Sequence, residues 1–309
     1  MINQGLKGKF EWLNDRPLYA SISGGKDSTA LGVHLQKNGI KFTPLFIDTG
    51  WEHHSTYEYI QDVLVPLFGE FTVLRNERYF QDDSEWKGGM EQVIKHNRMF
   101  PSGFAKFCTR LLKIVPVQNF YAEIRLQTKK KPINAVGVRA EESRKRSEMP
   151  KIEEQDEATV WRPLIEWTET EIIDLHSKHT IPPNPLYLKG ASRVGCYPCI
   201  YARKHEIRNM SFADPNRIAY IEELEQRVNE KLRRKDEPQA TFFKSRHKNK
   251  IPMGIREIVK WSRYDRKRGY LEDQEEIEHQ GCMRWGFCEP PLSDQLAFDF
   301  GGLSARRST

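Results

Sequence analysis

One hexapeptide, Ser23-Gly24-Gly25-Lys26-Asp27-Ser28, constrains this chain more than any other feature. It follows a short apolar run at residues 17–23 that reads as a buried strand. It opens residues 28–37, where Ala30, Leu31, Val33 and Leu35 mark an amphipathic helix. Paired glycines let the backbone approach an anion closely, and a helix N-terminus presents unpaired N–H groups and a positive dipole end. Ser23 and Ser28 add hydroxyl donors, and Lys26 adds a point charge. The spacing is neither that of the Walker loop nor that of the dinucleotide fingerprint. Residues 23–28 are therefore expected to cradle phosphates between a strand and a helix.

The same alternation continues along the chain. Residues 42–47 read as a second buried strand, ending in Asp48-Thr49-Gly50. A helix is expected over 57–68, a strand over 71–74, and helices over 85–96 and 110–127, the last with Pro116 awkwardly inside it. A strand follows at 132–138, an exposed loop at 151–157, a short strand at 159–163, and a helix capped by Thr168 and running to Lys178. This pattern predicts an α/β fold, a parallel sheet flanked by helices on both faces. Beyond Cys199 the chain reads as helical and basic, without further strands. A boundary near Tyr201 separates a nucleotide-binding domain, residues 1–200, from a helical, basic region, residues 201–309.

With 309 residues, 38% of them hydrophobic, and a mean hydropathy of −0.70, the chain can bury a core beneath a polar surface. No run reaches the roughly 18 apolar residues of a membrane span. The first twenty residues lack a signal-peptide apolar region, so a cytoplasmic protein is expected. Five cysteines at uneven spacing do not make a disulfide scaffold and point to metal or redox chemistry. Residues 231–270 carry fourteen Lys/Arg against four Asp/Glu, a larger excess than the +6 of the whole chain. With Phe242, Phe243, Trp261, Tyr264 and Tyr270, this block reads either as a DNA- or RNA-docking surface or as a solvated helical face. Residues 271–280 reverse the sign with five carboxylates.

The hexapeptide resembles the signature of the PP-loop ATP pyrophosphatases, the adenine nucleotide alpha-hydrolase-like superfamily. Three further stretches are similar to the phosphoadenosine phosphosulfate (PAPS) reductase family. They are Phe46-Ile47-Asp48-Thr49-Gly50-Trp51, then Gly137-Val138-Arg139-Ala140-Glu141-Glu142-Ser143-Arg144, then Trp161-Arg162-Pro163-Leu164 with Gly195-Cys196-Tyr197-Pro198-Cys199. The resemblance implies a Rossmann-like PP-loop domain in which Ser23, Gly24, Gly25, Lys26, Asp27 and Ser28 hold nucleotide phosphates. It implies that Asp48 and Gly50 lie near the adenosine, and that Arg139, Glu141 and Arg144 face phosphate or substrate. Lys26, Asp27, Arg139 and Arg144 are the expected catalytic residues. Mg²⁺ would be held by nucleotide oxygens and one carboxylate, for which Asp27 is the candidate.

Cys196 and Cys199 have the spacing of two thiolates sharing one metal centre. Cys108 matches a position where iron–sulfur members of the family carry cluster cysteines, often two adjacent ones, whereas here Phe107 precedes a single cysteine. The resemblance thus implies a [4Fe-4S] cluster on Cys108, Cys196, Cys199 and Cys288, with Cys282 as rival fourth ligand. Zinc, a Cys196–Cys199 redox disulfide and buried free thiols are the competing readings. No cysteine follows Cys288, so the C-terminal Glu-Cys-Gly nucleophile of assimilatory sulfonucleotide reductases has no counterpart.

Three functional readings follow. The first is an enzyme that binds ATP, cleaves the α–β phosphate bond and supports iron–sulfur-dependent sulfur transfer onto an acceptor such as nucleic acid, served by an electron- or sulfur-donor protein. The second is a PAPS or APS reductase or sulfotransferase using a cysteine of the 282–288 segment; an ATP sulfurylase small subunit ranks below it. The third is a nucleic-acid-associated accessory protein with a regulatory nucleotide site, whose Gln295-Leu296-Ala297-Phe298-Asp299-Phe300 is similar to peptides that bind the bacterial sliding clamp.

Overall fold

The computed structural model describes residues 11–13, 15–234, 236–244, 251–265, 269–270 and 285. Six strands build one sheet: β1 (Leu18–Ser21), β2 (Thr43–Ile47), β3 (Thr72–Leu74), β4 (Ile133–Val136), β5 (Ile152–Glu154) and β6 (Thr159–Trp161). Their order is β3-β2-β1-β4-β6-β5, with every neighbouring pair parallel except β5, which runs antiparallel to β6. The chain winds outward from β1 in both directions, so a crevice opens at the carboxyl ends of β1 and β4, where ligands of open α/β sheets bind.

Side chains of β1 alternate between two cores, as the strand's two-residue period requires. Leu18 and Ala20 pack with α1 (Lys26–Lys37) through Leu31 and Leu35, whereas Tyr19 points to the opposite face and meets Tyr121. Helices therefore cover both faces. The expected α/β architecture is what the chain forms.

Two proline-bearing helices share one device. A wide π-turn at Ile60–Leu64 follows α2 (His54–Tyr59) and precedes Pro66, and a second at Arg110–Ile114 precedes Pro116. A proline ring clashes with the carbonyl four residues back, here Asp62 and Leu112, and each of these lies in the widened turn. Pro116 thus enters the first turn of the helix Val115–Thr128 without breaking it.

Residues 151–157, expected as a loop, contain the edge strand β5. Charge explains the misreading: Glu153 pairs with Arg162, and Glu154 accepts hydrogen bonds from Lys131 and Thr159. Charged edge strands resist further pairing, and they lack the apolar alternation that marks an inner strand. Similarly, Tyr264–Asp265 pairs with Gly269–Tyr270 in a short ladder where none was expected.

Further helices include α3 (Met90–Asn97), α4 (Val115–Thr128), α5 (Glu169–Lys178), α6 (Lys204–Ala213), α7 (Pro215–Lys231) and α8 (Ile255–Arg263). The third core crosses the sequence boundary near Tyr201: Trp51, Trp86, Phe100 and Leu112 pack with Ile207, Ile221, Leu224, Phe242 and Ile258. Phe242 and Phe243 are 1% and 5% exposed, and Phe242 stacks on Trp51 at 5.6 Å. The expectation that these two phenylalanines serve nucleic-acid stacking is therefore corrected; they are core residues.

Candidate active site

The hexapeptide turns tightly out of β1. Gly24 has φ +76°, the left-handed region that favours glycine, and a Cβ there would lie 3.1 Å from Thr56 Cγ2. Gly25 precedes α1 and supplies no side-chain cap. The Lys26 N–H donates to the Tyr187 hydroxyl at 3.0 Å. Ser28 Oγ accepts the Ser23 N–H at 3.1 Å and donates to the Gly25 carbonyl at 2.9 Å, which fixes the turn internally. The Lys26 side chain is only 6% exposed, with Nζ 3.2 Å from Glu169 Oε1 and 3.6 Å from Asp27 Oδ2.

The loop after β4 closes against this turn. Gly137 has its Cβ position 2.6 Å from the Asp27 carbonyl oxygen, so a larger residue cannot pass there without moving backbone. Arg139, 4% exposed, donates Nε to Asp27 Oδ1 and Nη1 to Glu141 Oε2 at 2.5 Å. Glu141 also accepts the Glu169 N–H at the start of α5, at 2.8 Å. Residues 26–27, 139–141 and 169 therefore form one ionic lattice. Arg144 stands apart from it, 94% exposed and 3.5 Å from Glu148, while Arg146, two residues on, reaches the cleft wall.

At the end of β2, Asp48 is 2% exposed and fully engaged. Its carboxylate accepts from the Gly50 N–H at 2.8 Å, Tyr57 Oη at 2.7 Å and Arg75 Nε at 2.8 Å. Gly50, at φ +65°, packs beneath the Gly88 carbonyl. Asp48 thus acts in this structure as a strut for the 48–52 turn. That turn in turn anchors the Cys196–Cys199 loop: Trp51 Nε1 donates to the Pro198 carbonyl at 3.0 Å, and the Tyr197 N–H donates to the Trp51 carbonyl at 2.8 Å. Arg217 on α7 donates to the Tyr197 carbonyl from the other side at 2.8 Å.

A cleft of about 340 Å³ joins these parts. Ser23, Gly25 and Ser28 line one stretch of it and Cys196 to Cys199 another, with Lys113, Arg146, Lys189 and Arg193 among its walls. Cys196 Sγ lies 3.7 Å from Thr49 Oγ1 and 4.0 Å from Glu52 Oε1. Burial pushes the Cys196 thiol up, against the pull of Lys113, and burial likewise pushes up Cys108, whose thiol also feels Cys199. Lys113 is itself raised, chiefly by Cys196. Among the described residues, no three His, Cys, Asp or Glu side chains are placed to hold a single metal ion.

Residues 17–202 match the family model of the phosphoadenosine phosphosulfate reductase domain. The chain belongs to this family. It is 33% identical over 267 residues to an uncharacterised 37.8 kDa protein of Escherichia phage 186, spanning 74% of this chain and 79% of that one. It is 26% identical over 199 residues to an adenosine 5'-phosphosulfate reductase of Burkholderia cepacia, covering 61% and 71% of the two chains. The solved PAPS reductase of Candida auris in a phosphate complex aligns with a TM-score of 0.47 at 16% identity, over 63% of this chain and 88% of that one.

The matched span takes in every loop of the cleft through Cys199 and ends before α6. Sequence reading overlooked Lys113, Tyr187 and Glu169, because a lysine in a helix, a tyrosine after a proline and an acid in a first helical turn have ordinary structural explanations. Cys282, Cys288 and residues 295–300 lie outside the described residues. In the basic block, Lys231 pairs with Glu85, and Arg256 lies 2.8 Å from Glu222, so part of its charge is neutralised internally. Trp261, Tyr264 and Tyr270 remain exposed.

Proposed function

We propose that this chain is a PP-loop enzyme that binds ATP with its phosphates at residues 23–28 and cleaves the α–β phosphate bond to adenylate an acceptor oxygen. The observation that carries this reading is the single cleft connecting that turn to the Cys196–Cys199 loop. The acceptor oxygen attacks the α-phosphorus, the α–β P–O bond breaks, and pyrophosphate leaves with the bonding electrons. Lys26 and the first-turn amides of α1 offset the charge growing on that leaving group. To do so, Lys26 exchanges Glu169 for phosphate oxygens. Arg139 holds Asp27 in place, and Arg146, Lys189 and Arg193 draw a polyanion into the cleft. Arg139 occupies Asp27 Oδ1, so Oδ2 is the oxygen that would reach a Mg²⁺, with the nucleotide's own oxygens carrying most of the ion's coordination.

The donor chemistry around the cysteines fits a thiolate-ligated iron–sulfur centre. Cys108 and Cys196 border one largely apolar core, the thiols of both feel Cys199, and the Lys113 ammonium beside Cys196 would offset the negative charge of such a centre. Cys108, Cys196 and Cys199 would be three ligands of a [4Fe-4S] cluster, with Cys288 or Cys282 as the fourth. Trp285, between those two in the sequence, packs 5.2 Å from His176 and 5.5 Å from Tyr187, the residue whose hydroxyl accepts the Lys26 N–H. When bound, the cluster would supply electrons or a site for activated sulfur.

A second reading, reduction of APS or PAPS, is favoured by the adenosine 5'-phosphosulfate reductases among the relatives. Anaerobically purified protein incubated with ATP, or with APS or PAPS and dithiothreitol, separates the two. Pyrophosphate release from ATP supports adenylation. Sulfite release from a sulfonucleotide, without ATP cleavage, replaces it with the reductase reading.

A further inference from the structure

A second cavity, of about 460 Å³, opens behind the Cys196–Cys199 loop, between the 101–104 turn and α8. Ala202 lines both this groove and the nucleotide cleft, so the two meet beside Cys199. The groove floor is apolar, with Ile207, Phe243 and Ile258 buried. Its rim is not. Phe104 is fully exposed, and Tyr201 and Trp261 are 45% and 41% exposed. Lys106 Nζ lies 5.4 Å from the Tyr201 ring centre and Lys204 Nζ 4.9 Å from that of Trp261. Lys244 adds a third cation, and no carboxylate lines the groove among the described residues.

We infer that this groove is a binding subsite for single-stranded nucleic acid, taking bases on Phe104, Tyr201 and Trp261 and phosphates on Lys106, Lys204 and Lys244. Base faces and backbone phosphates are the two features of a single strand, and an aromatic ring with an ammonium beside it offers a partner for each within one nucleotide's reach. Duplex DNA, with its bases stacked inward, can use only the lysines. An apolar peptide would use the floor and the rings but gain nothing from three cations that pair with no carboxylate among the described residues. Because the groove meets the nucleotide cleft at Ala202, a base held there would present the acceptor oxygen of the proposed adenylation. That assignment rests on the nucleotide reading, whereas binding itself does not.

The test is fluorescence anisotropy of fluorescein-labelled dT20, rU20 and a 20-base-pair duplex, without ATP, against the full chain and its Phe104→Ala, Trp261→Ala and Lys106→Ala/Lys204→Ala variants. Single strands are expected to bind at least tenfold more tightly than duplex. Each aromatic substitution should weaken single-strand binding about 5- to 100-fold. The double lysine variant should flatten the dependence of affinity on salt. Circular dichroism and binding of a non-hydrolysable ATP analogue should stay at wild-type values in all three variants, which separates loss of the groove from loss of the fold or of the nucleotide reading. Absent binding, binding indifferent to Phe104 and Trp261, or equal affinity for duplex would overturn the inference. So would preferential uptake of a labelled apolar decapeptide over dT20.

Discussion

Replacing Gly137 by alanine probes how the phosphate turn is held. The added Cβ would sit 2.6 Å from the Asp27 carbonyl oxygen, 2.8 Å from its carbonyl carbon and 3.0 Å from Ser28 Cα. All three are backbone atoms in the first turn of α1, so no side chain can swing aside. Ordinary contact begins near 3.4 Å, so the two loops must part by roughly 0.8 Å, an overpacking that costs about 1–3 kcal/mol. With an unfolding entropy of about 2.1 cal/mol/K per residue, this lowers the melting temperature by about 2–5 °C. The displaced atoms carry the amides proposed to face phosphate and the Asp27–Arg139 pair, so pyrophosphate release should fall far more, on the order of 100-fold. The control is Gly195→Ala, on the same cleft, where a Cβ meets nothing within 4 Å and φ is unrestrictive; it should be neutral or up to about 1 kcal/mol stabilising. Differential scanning fluorimetry and a coupled pyrophosphate assay read both effects. A Gly137→Ala protein with wild-type melting and turnover would refute the argument that loop contact positions the site.

Other consequences follow from burial and charge. Burial, helped by His54 and opposed by Asp214, lowers the His53 pKa to about 4. The unfolded chain takes up that proton near pH 6.5 and the folded chain does not, so stability is lost as pH falls from 6.5 towards 4, by about 3 kcal/mol in all. Urea titrations should show this slope reduced in His53→Asn, which keeps an acceptor for the Ser55 N–H that His53 Nδ1 now bonds. In metal-free protein, Cys196 should alkylate slowly with iodoacetamide at pH 7 and faster as pH rises. Lys113→Ala should slow it further, since that cation favours the thiolate against burial, and mass spectrometry of the labelled peptide reports the rate. Phe242→Ala should cost about 3–5 kcal/mol by denaturant titration, as expected for a core ring stacked on Trp51.

The fold was legible because β1, β2 and β4 are short apolar runs ending at glycine or aspartate turns, and both faces of the sheet are covered. The edge strand β5 was not legible, because its glutamates are satisfied by Arg162 and Lys131, partners brought there only by the fold. The hexapeptide and the Cys-x-x-Cys pair announced themselves by spacing, and Arg139 through the family resemblance alone. Glu169, Lys113 and Tyr187 did not, since each joins the cleft through a contact across 83 residues or more. Arg144 and Arg146 illustrate the limit of motif transfer: both are arginines on one short helix, and only the second lines the cleft. Phe242 and Phe243 sit in a basic stretch whose charge suggested a surface, yet the core of residues 51–112 claims them.

The central claim is that the turn at residues 23–28 holds the phosphates of an adenine nucleotide. Isothermal titration of the purified chain with a non-hydrolysable ATP analogue, and with PAPS, tests it directly, alongside Lys26→Ala. The account predicts one saturable site per chain for at least one of these ligands, with affinity falling at least about 30-fold, roughly 2 kcal/mol, when Lys26 is lost. A folded chain that takes up neither ligand, or a Lys26→Ala variant that binds as tightly as wild type, would contradict it.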